Sequence, residues 1–322
     1  NIIINNTAFS FRGNANYGSA ESLGGGIYAT GTNLILNNSI KNNSTHSIIK
    51  NVGFYTSINS NGGGIYYKWA SSTSEVSGNL IAGNICQVTD STSIIISGWN
   101  SSSNGAGISI NSGTSPLISN NTIVSNEFNT FHLSPDYPDE KFELGTGLYT
   151  ASSLSLINNI VWNNGDSCGI YINTNDPINY LNNDFEGDYT SFCLPEDGVI
   201  NGTWVDNISE DPLFVDADNG DYNLQQASPC IDAGDPSSPL DPDGSIADMG
   251  AFPSAYGTPV PIVRNVPSEY SSIQSALTAA NATDTVLVQP GTYYENIIWP
   301  ETNGIKLISA GDSSNTIIDG GG

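Results

Sequence analysis

Asp184, Glu186 and Asp188 occupy alternate positions in "NNDFEGD" (residues 182–188), a spacing that on a β-strand sets three carboxylates along one face. Paired carboxylates at a fixed separation are what glycoside hydrolysis requires, one to protonate the leaving oxygen and one to act as base or nucleophile. These three are the candidate catalytic group, and the other carboxylates of the region, such as Glu21, Glu75 and Asp90, do not recur at a common phase. His46 and His132 are isolated, with no Ser or Cys spaced to form a triad. Two further stretches, "DADNGD" (216–221) and "DPDGSIAD" (241–248), place carboxylates at alternate positions around a Gly turn. Oxygen-rich loops of this kind suit Ca²⁺, which nominates Asp216, Asp218, Asp221, Asp241, Asp243 and Asp248 as ligands. No Glu closes either loop in the twelve-residue EF-hand manner, and the competing reading is a pair of Asp-capped turns. Apart from this Ca²⁺, no cofactor is expected.

The charge balance narrows the partners. Seven Lys and Arg face 32 Asp and Glu, a formal net charge of -25. Nucleic acid is not expected, because affinity for a phosphate backbone comes mainly from basic residues, and anionic membranes are disfavoured on the same ground. No apolar run approaches the roughly 20 residues of a membrane span, so no membrane insertion is expected. Met249 is the only Met and no signal peptide is evident, so the chain reads as a mature or excised segment. None of the four cysteines forms a CxxC pair. Cys168 and Cys193 are the preferred disulfide pair, being separated by about one turn of the repeat described next, and buried free thiols are the alternative.

The elements that must position these groups are announced by a repeat. One unit is glycine followed by a short apolar strand: "GGGIY" at 24–28 and again at 62–66, "GAGIS" at 105–109, "GTGLY" at 145–149 and "CGIY" at 168–171. A second falls between: "LILNNSIKNN" (34–43), "EVSGNLIAGN" (75–84), "LISNNTIVSN" (117–126), "LSLINNIVWNN" (154–164) and "INYLNNDFEGD" (178–188), with "IIINNTAF" (2–9) of the same kind. Such units are too short to bury their own apolar faces and must share them by stacking. Alternation through Leu34, Leu36 and then Ile40 sends one side chain in and the next out, and helical spacing is absent. The units alternate at about 20 residues, which predicts one coil of a parallel β-helix per unit, with 10–24, 86–104 and 127–144 as excursions between coils. The pairs Asn5-Asn6, Asn37-Asn38, Asn120-Asn121, Asn158-Asn159 and Asn182-Asn183 are placed at one phase of the coil. There Asn tolerates a left-handed bend and its amide can form a hydrogen-bonded ladder along the axis.

Residues 204–257 break the pattern. The run "DPLFVDADNGDYNLQQASPCIDAGDPSSPLDPDGSIADMGAF" (211–252) resembles the closing segment of bacterial secreted right-handed β-helix proteins with a pectin-lyase-like fold. Residues 266–322, "VPSEYSSIQSALTAANATDTVLVQPGTYYENI…TIIDGGG", resemble the opening of the same family. Within them Ser268 is the expected cap of a short helix whose apolar face is Ile273, Ala276, Leu277 and Ala280, followed by two strands around a Pro-Gly corner. The resemblance implies an all-β chain, a right-handed parallel β-helix solenoid with a short capping α-helix near the C-terminus, in permuted order. The expected organisation is 1–203 as coils, 204–257 as the closing segment, and 258–322 as linker, capping helix and first coils of its own or the next β-helix.

Many relatives of that fold are polysaccharide lyases or glycosidases. A lyase needs a Lys or Arg base beside a Ca²⁺-binding carboxylate cluster, and Arg12, Lys41, Lys50, Lys68, Lys141, Arg264 and Lys306 are scattered. Two functions follow as expectations. The first is a secreted, non-enzymatic structural protein that stacks head to tail with copies of itself into an extracellular filament, sheath or array. Its interface would comprise Ile2, Ile3 and Ile4 with Ile273, Leu277, Val286, Leu307, Ile317 and Ile318. An uncapped solenoid end exposes a strand edge that invites such pairing, and the 13-residue linker 253–265, which spans about 40 Å when extended, also allows self-capping. The second is a polysaccharide lyase, glycoside hydrolase or carbohydrate-binding protein, with extracellular polysaccharide as partner.

Overall fold

The computed structural model describes residues 1–13, 18–50, 56–90, 100–113, 115–132, 142–165, 168–187 and 191–321. The chain divides into two compact units, Asn1–Asp235 with Asp248–Ser254, and Pro236–Ala247 with Ala255–Gly322. The segment 204–235, set apart in the sequence reading, thus groups with the coils, and 236–247 groups with the later residues.

The first unit is built of short parallel strands, an arrangement compatible with a β-helix-like solenoid. One sheet stacks Ile2–Ile4, Ser39–Lys41, Leu80–Ala82, Thr122–Val124, Ile160–Trp162 and Asp184–Phe185. A second stacks Leu34–Leu36, Glu75–Ser77, Leu117–Ser119, Ser155–Ile157, Ile178–Leu181 and Gly202–Val205. A third runs from Ile27–Gly31 through Ile65–Ala70, Ile108–Ile110 and Leu148–Thr150 to Ile170–Ile172. In the first two sheets the central residue of each three-residue strand points inward, whereas in the third the flanking residues do, as Ile108 with Ile110 and Ile170 with Ile172. Ile40, Ile81, Ile123 and Val161 form one buried column and Ile35, Val76, Ile118 and Leu156 another. Ile35, not its neighbours Leu34 and Leu36, is the inward residue of its strand.

The coil is longer than the 20 residues expected. The in-register positions Ile2, Ser39, Leu80, Thr122, Ile160 and Asp184 are separated by 37, 41, 42, 38 and then 24 residues. The two sequence units therefore lie on one coil, and the supposed excursions complete it. They supply two more parallel sheets: Thr7–Gly13, Ser44–Lys50, Ile85–Asp90 and Glu127–His132, and Gly18–Leu23, Thr56–Asn61, Asn100–Asn104 and Phe142–Leu144. These Ser- and Thr-rich strands face each other through buried hydroxyls, with Ser60 Oγ donating to Thr45 Oγ1 at 2.7 Å and Ser22 Oγ 2.8 Å from Ser47 Oγ. With few aliphatic residues facing inward, they carry little of the hydrophobic periodicity by which strands are read from sequence.

Asparagine fixes the corners, in two columns rather than one. Asn37, Asn120, Asn158 and Asn182 adopt φ between 51° and 56°, and the residue after each turns inward. Asn1, Asn38, Asn79, Asn121, Asn159, Asn183 and Asn207 form a continuous ladder, each Nδ2 donating to the next Oδ1 at 2.8–3.0 Å. Asn6 belongs to a parallel ladder, Asn6–Asn43–Asn84–Asn126–Asn164, with links of 2.9–3.1 Å. The second ladder explains the last glycine of the first four repeats: a Cβ on Gly107 would lie 3.0 Å from Asn126 Nδ2 and 2.5 Å from Gly147 O.

Residues 208–235 and 248–254 cross the outer face of the first sheet. Tyr222 packs with Leu80, Ala82 and Val124, while Leu224, Cys230 and Met249 pack with Ile160. The Gly250 N–H donates to Asn158 O at 2.7 Å and the Ala251 N–H to Thr122 Oγ1 at 3.0 Å. Cys168 and Cys193 form a disulfide, as their spacing suggested, and Cys86 and Cys230 are buried free thiols.

The second unit holds a parallel sheet of Val263–Val266, Thr285–Val288 and Lys306–Ser309, a parallel pair Gly291–Tyr294 and Thr316–Asp319, and one helix, Ile273–Thr278. Ile273, Ala276, Leu277 and Ala280 are buried as their spacing predicted. Ser272 caps the helix in place of Ser268, accepting from Ser275 N–H, and Glu295 accepts from the Ile273 and Gln274 N–H groups at 2.9 and 2.8 Å.

Candidate functional site

Of the carboxylates of 184–188, Asp184 is buried and Glu186 exposed, so these two do not form an exposed pair. Asp184 ends the first sheet and is fully buried: Oδ1 accepts from the Glu210 N–H at 3.2 Å and Oδ2 from the Cys230 thiol at 3.2 Å. Burial pushes its carboxyl up to about 6, helped by the charges of Glu210 and Asp211 and opposed by the two hydrogen bonds. Glu186 uses Oε2 to accept from the Asn163 N–H at 2.7 Å, satisfying a backbone group at a coil corner. Asp188 lies outside the described residues. Asp184 is thus enclosed beside Cys230, while Glu186 is exposed at its corner. The thiol partner of Asp184 was not foreseeable, because 46 residues separate Cys230 from Asp184. His46 Nε2 lies 3.0 Å from Thr89 Oγ1 and its ring meets Phe9 edge-on. Partial burial lowers its pKa. His132 closes the strand Glu127–His132.

Three of the nominated cation ligands, Asp216, Asp221 and Asp243, act as caps of their own turns. Asp216 accepts from Asn219 N–H and Nδ2 at 3.3 and 2.8 Å, and Asp221 from Asn223 N–H and Nδ2 at 3.1 and 2.7 Å. Asp218 sits exposed in the single 3₁₀ turn between them. In the second stretch, Asp243 Oδ1 accepts from Ser245 N–H and Oγ at 3.0 and 2.6 Å, and the Asp241 N–H donates to Ser245 O. Asp241 and Asp243 belong to the second unit, whereas Asp248 belongs to the first and accepts from the Asp232 and Ser254 N–H groups at 2.8 and 2.7 Å. Its pKa is raised, chiefly by burial.

Both units present strand edges with unpaired backbone groups. In the first, Ile2–Ile4, Thr7–Gly13, Gly18–Leu23, Ile27–Gly31 and Leu34–Leu36 each pair on one side only among the described residues. Ser39 N–H donates to Asn1 O and Asn5 N–H to Lys41 O, which turns the Ile3 backbone toward its neighbour and leaves the groups of Ile2 and Ile4 facing away. Ile2 is 74% exposed and Leu34 62%, with Ile4, Phe9, Phe11 and Leu36 exposed beside them, and Ile3 is partly buried against the core. In the second unit, Lys306–Ser309 and Thr316–Asp319 are free edges, as are Val263–Val266 and Gly291–Tyr294 on the opposite sides, and Ile308, Ile317 and Ile318 are exposed on the former. Of the residues nominated for assembly there, Ile273, Leu277 and Val286 are fully buried in that unit's own core and Leu307 packs against it. They support the edge without forming its surface. Phe9, Phe11, Leu34 and Leu36 were missed, because their exposure depends on which strands are outermost.

Comparison with protein-family models, with curated proteins and with solved structures finds no match to this chain.

Proposed function

We propose that this chain is a non-enzymatic structural protein of the cell exterior, a right-handed, pectin-lyase-like β-helix whose copies join end to end. The free edge of Lys306–Ser309 and Thr316–Asp319 in one copy pairs, in parallel, with the opening edge of Ile2–Ile4 and its companion strands in the next. One observation carries this reading: each unit ends in exposed, Ile-bearing strands with outward backbone groups, which are templates for another chain. The contact is heterologous, so repetition propagates it into a filament. Three features support an exterior setting and a scaffold role: the Cys168–Cys193 disulfide, the acidic composition and the internally satisfied Asn ladders.

Electron microscopy and sedimentation velocity across a concentration series test it. The wild-type chain is expected to form rods that lengthen with concentration. Ile4→Pro and Ile318→Pro each remove an outward N–H while sparing the inward ladder, since Gly291 N–H to Asn315 O directs the Ile317 and Asp319 backbone inward and Ile318 outward. Each variant should remain monomeric with an unchanged far-UV spectrum. A wild-type chain that stays monomeric at every concentration defeats the proposal, as do Pro variants that assemble normally.

A further inference from the structure

Where residues 208–225 cross the outer face of the first sheet, they leave a cleft of about 280 Å³, wholly within the first unit. Its apolar wall is aromatic: Trp162 from the coil, with Phe214 and Tyr222 from the crossing segment, the last two meeting edge-to-face at 5.2 Å. Asp211, Asn163 and Gln225 also line it. Asp211 spends Oδ1 on the Leu213 N–H, leaving Oδ2. Gln225 spends Nε2 on Phe214 O at 2.8 Å and its N–H on Leu213 O, which fixes the side chain and leaves Oε1. Asn163 is exposed, and its N–H is taken by Glu186.

These groups discriminate among ligand classes. A hard cation would want several carboxylates, and Asp211 is the one carboxylate in a lining otherwise rich in aromatic carbon. An anion would meet Asp211 with no Lys, Arg or His among the described lining residues. A purely apolar ligand would bury the free oxygens of Asp211 and Gln225 without partners. A ligand with one apolar face and a rim of hydroxyls satisfies all of them: its C–H face lies on the rings, and its hydroxyls donate to Asp211 Oδ2 and Gln225 Oε1 and accept from Asn163 Nδ2.

We propose that this cleft binds a neutral sugar residue of a glycan chain, and that the protein thereby adheres to neutral polysaccharide. The site is independent of the strand edges that mediate stacking, so Ile4→Pro and Ile318→Pro should bind as wild type does. Isothermal titration with cellohexaose, chitohexaose and mannohexaose tests it, with hexagalacturonate as the anionic comparison. At least one neutral hexasaccharide is expected to bind with Kd of order 1 mM or tighter, and hexagalacturonate at least tenfold more weakly. Gln225→Ala and Asp211→Ala, both at exposed positions, should each weaken that Kd about tenfold, and Trp162→Ala about a hundredfold. A saturable signal lost in Gln225→Ala alone still supports the site if Trp162→Ala destabilises the fold. The proposal is overturned if no neutral hexasaccharide binds saturably, if hexagalacturonate binds best, or if binding survives Gln225→Ala and Asp211→Ala together.

Discussion

Replacing Asp184 by Asn should make the coiled unit more stable at neutral pH, by an amount that grows with pH. The Asp184 carboxyl rests near 6 in the fold against 3.8 unfolded, mainly because burial penalises its charged form. Below pH 3.8 it is protonated in both states and costs nothing. Between 3.8 and about 6 the unfolded chain gives up the proton while the folded one keeps it, so stability falls as pH rises. Above 6 the full loss remains, roughly 2 units at 1.36 kcal/mol each, or about 3 kcal/mol. Asn retains an acceptor for the Glu210 N–H and presents its amide to the Cys230 sulfur, so the shape of the site is kept. Asp248 is shifted in the same direction but is present in both proteins and cancels in the comparison. Urea unfolding of wild type and Asp184→Asn at intervals from pH 3.5 to 7.5 measures the effect. The stability difference should open by about 3 kcal/mol in favour of Asn across that range, most of it between pH 4 and 6. A difference that stays flat, or opens in favour of Asp, refutes the argument that a buried carboxyl is held protonated there.

Asn121→Ala should cost about 3–5 kcal/mol, read as a fall in thermal midpoint, because it removes the acceptor of the buried Asn79 N–H and the donor to Val76 O and Asn159 Oδ1. The same change at Asn207, at the partly exposed end of the ladder, should cost about 1 kcal/mol. Gly107→Ala should lose about 1–3 kcal/mol to the collisions with Gly147 O and Asn126, whereas Gly169→Ala, at the matching motif position with nothing within 4 Å, should be close to neutral by the same melt. Reduction of Cys168–Cys193, which closes a 25-residue separation, should lower stability by about 3 kcal/mol in denaturant titrations with and without dithiothreitol.

The legible part of this structure is the part written in backbone demands. A left-handed corner calls for Asn or Gly, so Asn37, Asn120 and Asn158 stand out by identity alone. A close approach between coils calls for Gly, which marks Gly64 and Gly107. The helix face and the disulfide followed from spacing in the same way. Coil length was misread because strands such as Thr56–Asn61 and Asn100–Asn104 bury serines in place of aliphatic residues. What could not be read were contacts between distant segments: the Cys230–Asp184 pair and the aromatic cleft around Trp162. Both arise because residues 208–235 turn back over the first sheet, and no local pattern records where a segment returns.

The shortening of the coil shows how the two asparagine columns divide the work. The ladder from Asn1 runs through to Asn207, and the first two sheets persist with it. The ladder from Asn6 ends, among the described residues, at Asn164, where the coil drops from 38 to 24 residues and the two Ser-rich sheets have already stopped. Beyond that point Gly169 has no asparagine above it, and the wall of the coil needs another means of closure. The chain supplies it covalently and by packing. Cys168–Cys193 ties the wall at that level, while Phe185, Phe192 and Tyr180 fill the interior and the exposed Trp204 packs over them, with ring centroids 5.1–6.4 Å apart. The disulfide and the cluster thus stand where the second ladder ends. Reduction should therefore loosen the final coils first, with hydrogen exchange rising at Ile170–Ile172 while Ile81 and Ile123 stay protected. Uniform loss of protection along both ladders would mean that the columns do not act separately.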